Sequence, residues 1–121
     1  MSVTLNHLIV PAKDKAASAA FLTSILGLQA AERNGPFLAV SVDNEVVLDF
    51  MDVDSDIPSQ HYAFMVDDER FQQILDRMFE MKREYWADPF HHEPNQVGNF
   101  AGSRHVYFLD PSGHNMEVLT A

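Results

Sequence analysis

Residues 105–119, HVYFLDPSGHNMEVL, carry the clearest structural signal in the chain. Two runs of mostly aliphatic and aromatic residues, 105–109 and 114–119, flank the polar segment 110–113. A run of Asp, Pro, Ser and Gly between two such stretches is typical of a tight turn. The pattern therefore predicts a β-hairpin over these residues.

The register of this hairpin depends on the length of its loop. A three-residue loop of Pro, Ser and Gly fits a type I turn that ends in a left-handed glycine, and it pairs Asp110 with His114. Tyr107 then lies opposite Glu117, and His105 shares their face because side chains alternate along a strand. A loop of two or four residues would turn Tyr107 to the other face, so the predicted position of its hydroxyl depends on the turn.

The first half of the chain predicts a strand, a helix and then more strands. The apolar run 5–10 predicts a buried strand that Pro11 closes. A helix follows, beginning after Asp14, whose carboxylate can cap it, and ending at Gly27. Two further β-rich runs around a polar turn predict a hairpin, at 37–42 and 46–50.

The second half repeats this order. Residues 61–66 predict a strand, and Asp67 is placed to cap an amphipathic helix that runs to about Lys82. A further strand is expected at 84–87, followed by a loop over 88–103 that leads into the hairpin. Within this loop, the sequence His-His-Glu is a candidate source of an acid or a base.

Each half carries a histidine in its first strand and a carboxylate in its last. The pairs are His7 with Asp49, and His61 with Glu117. Such self-similarity predicts two copies of one supersecondary unit. A single domain over residues 1–121 is therefore expected to contain modules over about 3–51 and 60–120.

Several of these segments resemble the vicinal oxygen chelate superfamily, which includes glyoxalases, extradiol dioxygenases, fosfomycin-resistance transferases and bleomycin-resistance proteins. The matching segments are NHLIV (6–10), ILGL (25–28), QHYAFMV (60–66) and DPSGHNMEV (110–118). The resemblance implies an α+β fold in which two βαβββ modules form a curved mixed-sheet cup with the helices outside, the glyoxalase-like fold.

The resemblance also implies a metal site. In the metal-using branches, one divalent ion is bound by a histidine from the first strand of each module and a carboxylate from the last strand. The matching residues are His7, His61 and Glu117, with Asp49 where the glyoxalase branch has a fourth ligand. Tyr107 matches an active-site tyrosine of the dioxygenase and transferase branches, which implies a catalytic role. With no cysteine in the chain, these nitrogen and oxygen donors suit Fe(II), Mn(II), Ni(II) or Zn(II).

The resemblance favours an enzyme that uses the ion to chelate a small oxygen-bearing substrate. The two histidines, the glutamate and Tyr107 favour an extradiol dioxygenase-like activity, whereas Asp49 favours a glyoxalase-like one. The alternatives are a metal-free antibiotic-binding protein of the bleomycin-resistance type and a fosfomycin-type thiol transferase. The first would use the formal charge of −10 to attract a cationic drug.

Charge and hydropathy bear on partners and location. A chain with 18 acidic and 8 basic residues is a poor ligand for nucleic acid or anionic membranes, because counterion release cannot drive its binding. No apolar run approaches the roughly 18 residues that indicate a membrane span, and no leader-like pattern follows Met1, so a cytoplasmic protein is expected. The resemblance further implies a homodimer in which two chains complete each cup.

Overall fold

In the computed structural model, which describes residues 2–121, the chain forms two compact units, and the boundary lies between Ile57 and Pro58. We call them the first unit and the second unit. Each has the order βαβββ, with a four-stranded mixed sheet. The predicted α+β class with two βαβββ modules is therefore confirmed. No helix among residues 2–121 is both long and apolar enough to cross a bilayer.

The first unit contains strand β1, helix α1 and strands β2 to β4. Their bounds are β1 His7–Ala12, α1 Lys15–Leu26, β2 Glu32–Asn34, β3 Phe37–Ser41 and β4 Val47–Asp52. The strand order is β1-β4-β3-β2; β1 runs parallel to β4, and the other pairs are antiparallel. Helix α1 packs on β1, β3 and β4. The core of the first unit includes Val10, Leu22, Ile25, Val40, Leu48 and Phe50.

Both predicted ends of α1 are confirmed. The Asp14 carboxylate accepts hydrogen bonds from the backbone N–H groups of Ala16 and Ala17, which the first turn of a helix leaves unpaired. At the other end Gly27 has φ 71° and ψ 37° and donates its N–H to the carbonyl of Thr23. A residue with a Cβ adopts this left-handed conformation only at a steric cost, so glycine ends the helix here.

The second unit repeats the arrangement. Its elements are β5 His61–Met65, α2 Asp68–Glu80, β6 Gly98–Phe100, β7 Ser103–Leu109 and β8 Asn115–Leu119. The strand order is β5-β8-β7-β6, with β5 parallel to β8. Asp67 caps α2 by accepting a hydrogen bond from the Arg70 N–H, as predicted. The Arg104 guanidinium lies 4.4 Å from the centre of the Phe71 ring, which ties α2 to one face of β7.

The first strand differs from its prediction at both ends. It begins at His7 and continues through Pro11 to Ala12, whereas the sequence pattern places it at 5–10. Proline cannot donate to a neighbouring strand, which normally excludes it from the interior of a sheet. Here β1 is the edge strand of its sheet. No strand lies on its open side, so none is deprived of a donor there by the proline.

Two short strands, β2 and β6, are not predicted by the sequence pattern. Strand β6 falls inside the segment expected to be a loop, and the strand expected over 84–87 is replaced by isolated bridges from Trp86 to Pro94 and to Tyr107. The reason is length. Each missed strand has three residues, which is too few to display an alternating pattern, and it is extended because a longer neighbour pairs with it.

Candidate functional site

The turn between β7 and β8 sets the register of the candidate site. Asp110 and His114 close a three-residue loop, the Asp110 N–H donating to the His114 carbonyl at 3.0 Å. Gly113 has φ 88°, and the Asp110 carboxylate accepts hydrogen bonds from the N–H groups of Ser112 and His114. Tyr107 consequently pairs with Glu117. The predicted turn and register are both confirmed.

Glu117 lies at the centre of one sheet face. Strand β8 runs between β5 and β7, so Glu117 has Ala63 beside it on one side and Tyr107 on the other. His61 lies two residues before Ala63 and His105 two residues before Tyr107, so both histidines share the face of Glu117 and lie diagonal to it. Glu117 is only 7% exposed, and the short side chain of Ala63 fills little of the space next to it.

Three side chains contact the Glu117 carboxylate. Its Oε1 lies 2.9 Å from Nε2 of His61, and its Oε2 lies 2.7 Å from Nδ1 of His105. The Tyr107 hydroxyl donates a further hydrogen bond to it. Burial, followed by the negative charge of Glu117 and this hydrogen bond, raises the pKa of Tyr107 to about 12. Tyr107 therefore stays protonated and available as a donor near neutral pH.

The corresponding histidine and carboxylate of the first unit, His7 and Asp49, have different surroundings. Asp49 is 5% exposed and lies between Ile9 and Ala39 in the sheet. Within residues 2–121, no donor reaches its Oδ1. His7 shares its face but is exposed, and its Nδ1 lies 2.8 Å from Oδ1 of Asn6. Within the described residues, one oxygen of this buried carboxylate thus lacks a protein partner, which is costly unless water or a bound cation satisfies it.

The predicted ligands of the second unit have a spacing that fits a metal ion. Two ligands at right angles on one octahedral ion, each bonded at about 2.1 Å, lie about 3 Å apart, and the His61 Nε2 to Glu117 Oε1 distance is 2.9 Å. Across residues 2–121, however, no group of three or more His, Asp and Glu side chains is arranged to hold an ion. His61 and Glu117 are therefore spaced to supply two of the ligands of a metal ion, but not a complete set.

Two contacts near this face go beyond the sequence prediction. His105 was expected on the Tyr107 face, but its bond to Glu117 follows from a side-chain rotamer that the sequence pattern does not encode. The His91 ring stacks on Trp86, with centroids 3.9 Å apart and planes at 9°. Its Nε2 lies 3.0 Å from Oδ1 of Asn115, two residues before Glu117. His92, the next loop residue, is largely exposed.

Comparison with known proteins identifies the family. The sequence model of the Glyoxalase/Bleomycin resistance protein/Dioxygenase superfamily matches residues 4–118. The chain belongs to this superfamily. Glutathione transferase FosA of Serratia marcescens is 30% identical to this chain over 125 residues, which cover 98% of this chain and 81% of that protein.

Two solved structures are much more similar to this chain. Oxidase ChaP-H1 is 48% identical and superposes with a TM-score of 0.97 over 99% of this chain and 97% of its own. Oxidase ChaP-H2 gives the same identity and TM-score over 100% and 95%. The fosfomycin resistance protein FosX of Listeria monocytogenes, at 19% identity and a TM-score of 0.77 over 100% and 95%, shares the fold.

Proposed function

We propose that the protein is a metal-dependent oxidase that acts on a small oxygen-bearing substrate. The observation that carries this proposal is the 48% identity, over 99% of the chain, to a protein named an oxidase. The cluster around Glu117 supports it, because a buried carboxylate and an imidazole 2.9 Å apart are the donors that oxygen-using metal enzymes employ.

The proposed ligands are His61 and Glu117, with His7 as the third and Asp49 as the fourth. The unpartnered Oδ1 of Asp49 supports its inclusion, since a cation would offset the cost of burying it. Fe(II), Mn(II), Ni(II) and Zn(II) all accept such a set. When bound, the ion would supply Lewis acidity and, in the case of iron, activation of oxygen.

The chain's own residues would then orient the substrate and control its protons. Tyr107 keeps its proton near neutral pH. Turning its one hydroxyl hydrogen from Glu117 toward a substrate oxygen held beside that carboxylate would stabilise negative charge that develops there. The Trp86–His91 stack and Asn115 lie along the same face. We propose that they provide a flat, partly polar wall for a planar substrate.

We also propose a homodimer in which one chain supplies His7 and Asp49 and a second chain supplies His61 and Glu117. Exposed apolar side chains near β1 support a partner surface, because Val3 is 102%, Leu5 66% and Ile9 48% exposed. Mixing His7→Ala chains with Glu117→Ala chains would then restore up to one intact site per heterodimer. Equal metal content in the mixture and in the separate variants would contradict sharing.

The proposed function is tested by metal content and oxygen consumption. Protein stripped of metal is loaded anaerobically with Fe(II), Mn(II), Ni(II) or Zn(II), desalted and analysed for bound metal, with His61→Ala as the matched control. The Fe(II) form is then mixed with oxygen and a series of catechols and related phenols. We expect bound metal and substrate-dependent oxygen uptake in the wild type alone. Equal, negligible metal in both proteins would overturn the proposal.

A second candidate is thiol transfer to an epoxide. It is favoured by the 30% identity to a glutathione transferase. The Mn(II) and Ni(II) forms with glutathione and fosfomycin test it, and hemithioacetals in the same panel test a glyoxalase-like reaction. Product formation without oxygen uptake would replace the oxidase proposal. A protein that binds a cationic drug but no metal would instead support the antibiotic-binding alternative.

A further inference from the structure

We infer that His105 is a positioning residue that holds one oxygen of Glu117, so that only the other oxygen is offered to a metal ion. The inference rests on the proposed metal-dependent function. It assigns a task to a histidine that lies outside the proposed ligand set.

The two carboxylate oxygens of Glu117 have different partners. Oε2 lies 2.7 Å from Nδ1 of His105, whereas Oε1 lies 2.9 Å from Nε2 of His61. The contact to His105 is short for a nitrogen–oxygen pair, as expected when the acceptor is charged. Both groups are shielded from water, with side-chain exposures of 18% for His105 and 9% for Glu117, so the contact is strengthened by the low local dielectric.

The contact also fixes which nitrogen of His105 carries the proton. If Nδ1 were unprotonated, its lone pair would face a carboxylate oxygen at 2.7 Å and the two would repel each other. With Glu117 ionised, Nδ1 is therefore the donor. The second nitrogen, Nε2, is buried and has no hydrogen-bond partner within residues 2–121, so the contact of Nδ1 with Glu117 is the one side-chain hydrogen bond of this ring in that range.

A carboxylate that is held in this way can bind an ion through one oxygen only. Without His105, Oε2 would lose its imidazole partner. Rotation of the carboxylate would then let Oε2 chelate the ion together with Oε1, which would change both the affinity and the open positions left for substrate. The equivalent position in the first unit, two residues before Ala39, is Phe37. Phenylalanine cannot donate a hydrogen bond, so the device is confined to the second unit.

Substitutions at His105 separate the hydrogen bond from simple packing. In His105→Asn the amide nitrogen replaces Nδ1, whereas His105→Leu fills the space without a donor. His92→Leu, at a side chain that is 79% exposed, is the matched control. We expect Mn(II) affinity to fall by about 10- to 100-fold in His105→Leu, to fall far less in His105→Asn, and to remain unchanged in His92→Leu. Free Mn(II) is quantified by electron paramagnetic resonance.

A second measurement reports the binding mode itself. Infrared difference spectra with and without metal distinguish a carboxylate bound through one oxygen from one bound through two, because the separation of its two stretching bands differs. We expect the one-oxygen spectrum in wild type and His105→Asn, and the two-oxygen spectrum in His105→Leu. Glu117→Gln identifies the bands.

The outcomes distinguish this inference from the proposed function. If the wild type binds Mn(II) and His105→Leu binds it equally well with the same spectrum, the positioning role is wrong and the metal function stands. Equal losses in the Leu and Asn variants would also overturn it, since packing alone would then explain the effect. If the wild type binds neither Mn(II) nor another divalent ion, the proposed function itself fails.

Discussion

The two units share one topology, yet they treat their buried carboxylates differently. In the second unit Glu117 has Tyr107 beside it and contacts both His61 and His105, so each of its oxygens has a partner. In the first unit no donor within residues 2–121 reaches Oδ1 of Asp49. Both carboxylates lie on the middle of three paired strands, so backbone position is not the cause.

The cause is the identity of the neighbouring side chains. Asp49 is flanked by Ile9 and Ala39, neither of which has a side-chain donor. Phe37 occupies the position that His105 has in the second unit. His7, the counterpart of His61, is exposed and contacts Asn6 instead of Asp49. The aspartate is also one methylene shorter than a glutamate, which limits its reach. A few residues on adjacent strands thus decide whether a buried carboxylate is satisfied within the fold or depends on something that binds.

The strongest test of this contrast is the loss of a proposed ligand. Loss of a residue that supports a metal ligand can weaken metal binding by about 100-fold. We expect His61→Ala to weaken it further, because this substitution removes a direct bond to the ion. His114→Ala is an unsuitable control because that residue is fully buried, whereas His92→Ala is suitable. Calorimetric titration measures the affinities. Wild-type affinity in His61→Ala would show that the cluster around Glu117 does not bind metal.

The next test removes only the hydroxyl of Tyr107. We expect Tyr107→Phe to keep its fold and its metal but to lower turnover about 10- to 1000-fold, the range for one hydrogen bond formed in a transition state. Steady-state kinetics with the substrate found by the oxygen-uptake screen provide the measurement. Tyr62→Phe is the control, since Tyr62 lies on the other face of its strand. Turnover at the wild-type rate would mean that the hydroxyl only contributes to packing.

A third test compares the two carboxylates directly in metal-free protein. Glu117→Gln weakens charged contacts to two histidines, and we expect it to lower the free energy of unfolding by about 1–3 kcal/mol. Asp49→Asn removes a buried charge whose Oδ1 is unpartnered, so we expect it to raise stability by about 1 kcal/mol. Urea denaturation in the presence of a chelator gives both values. A loss of stability in both variants would indicate that Asp49 is satisfied in solution.

The last test concerns the pH dependence of stability, which changes only at alkaline pH. The pKa of Tyr107 is about 12 in the folded protein and about 10 when unfolded. Between these values the unfolded chain has released the proton while the folded protein still holds it, so stability is full below about pH 10 and falls as the pH rises toward 12. Tyr107→Phe should flatten this decline. Ultraviolet titration should show a tyrosine that ionises near pH 12 in the wild type and is absent from Tyr107→Phe.

The parts of this architecture that the sequence predicts are those governed by local chemistry. The loop from Pro111 to Gly113 determines the register that pairs Tyr107 with Glu117, and Asp14 and Gly27 set the ends of α1. These signals act over a few residues, so they are readable from the sequence alone. The binding of metal by His7, His61, Glu117 and Asp49 stays a prediction.

Features that depend on distant segments are not readable in this way. Strand β6 is extended because β7 pairs with it, and its first residue, Gly98, lies so close to Ala87 that a Cβ would be 2.6 Å from the Ala87 carbonyl oxygen. The bond from His105 to Glu117 likewise depends on a rotamer. Such contacts arise from packing across the sheet, which a linear pattern does not record.

The stack of His91 on Trp86 gives the protein an optical property. Trp86 is the one tryptophan in the chain, so all indole emission comes from a ring that lies 3.9 Å from an imidazole, and that imidazole is bonded to Asn115 on the strand that carries Glu117. A molecule that enters beside Asn115 and displaces the imidazole would change the quenching of a single emitter. Intrinsic fluorescence would therefore report such a displacement without a label and before any turnover is known.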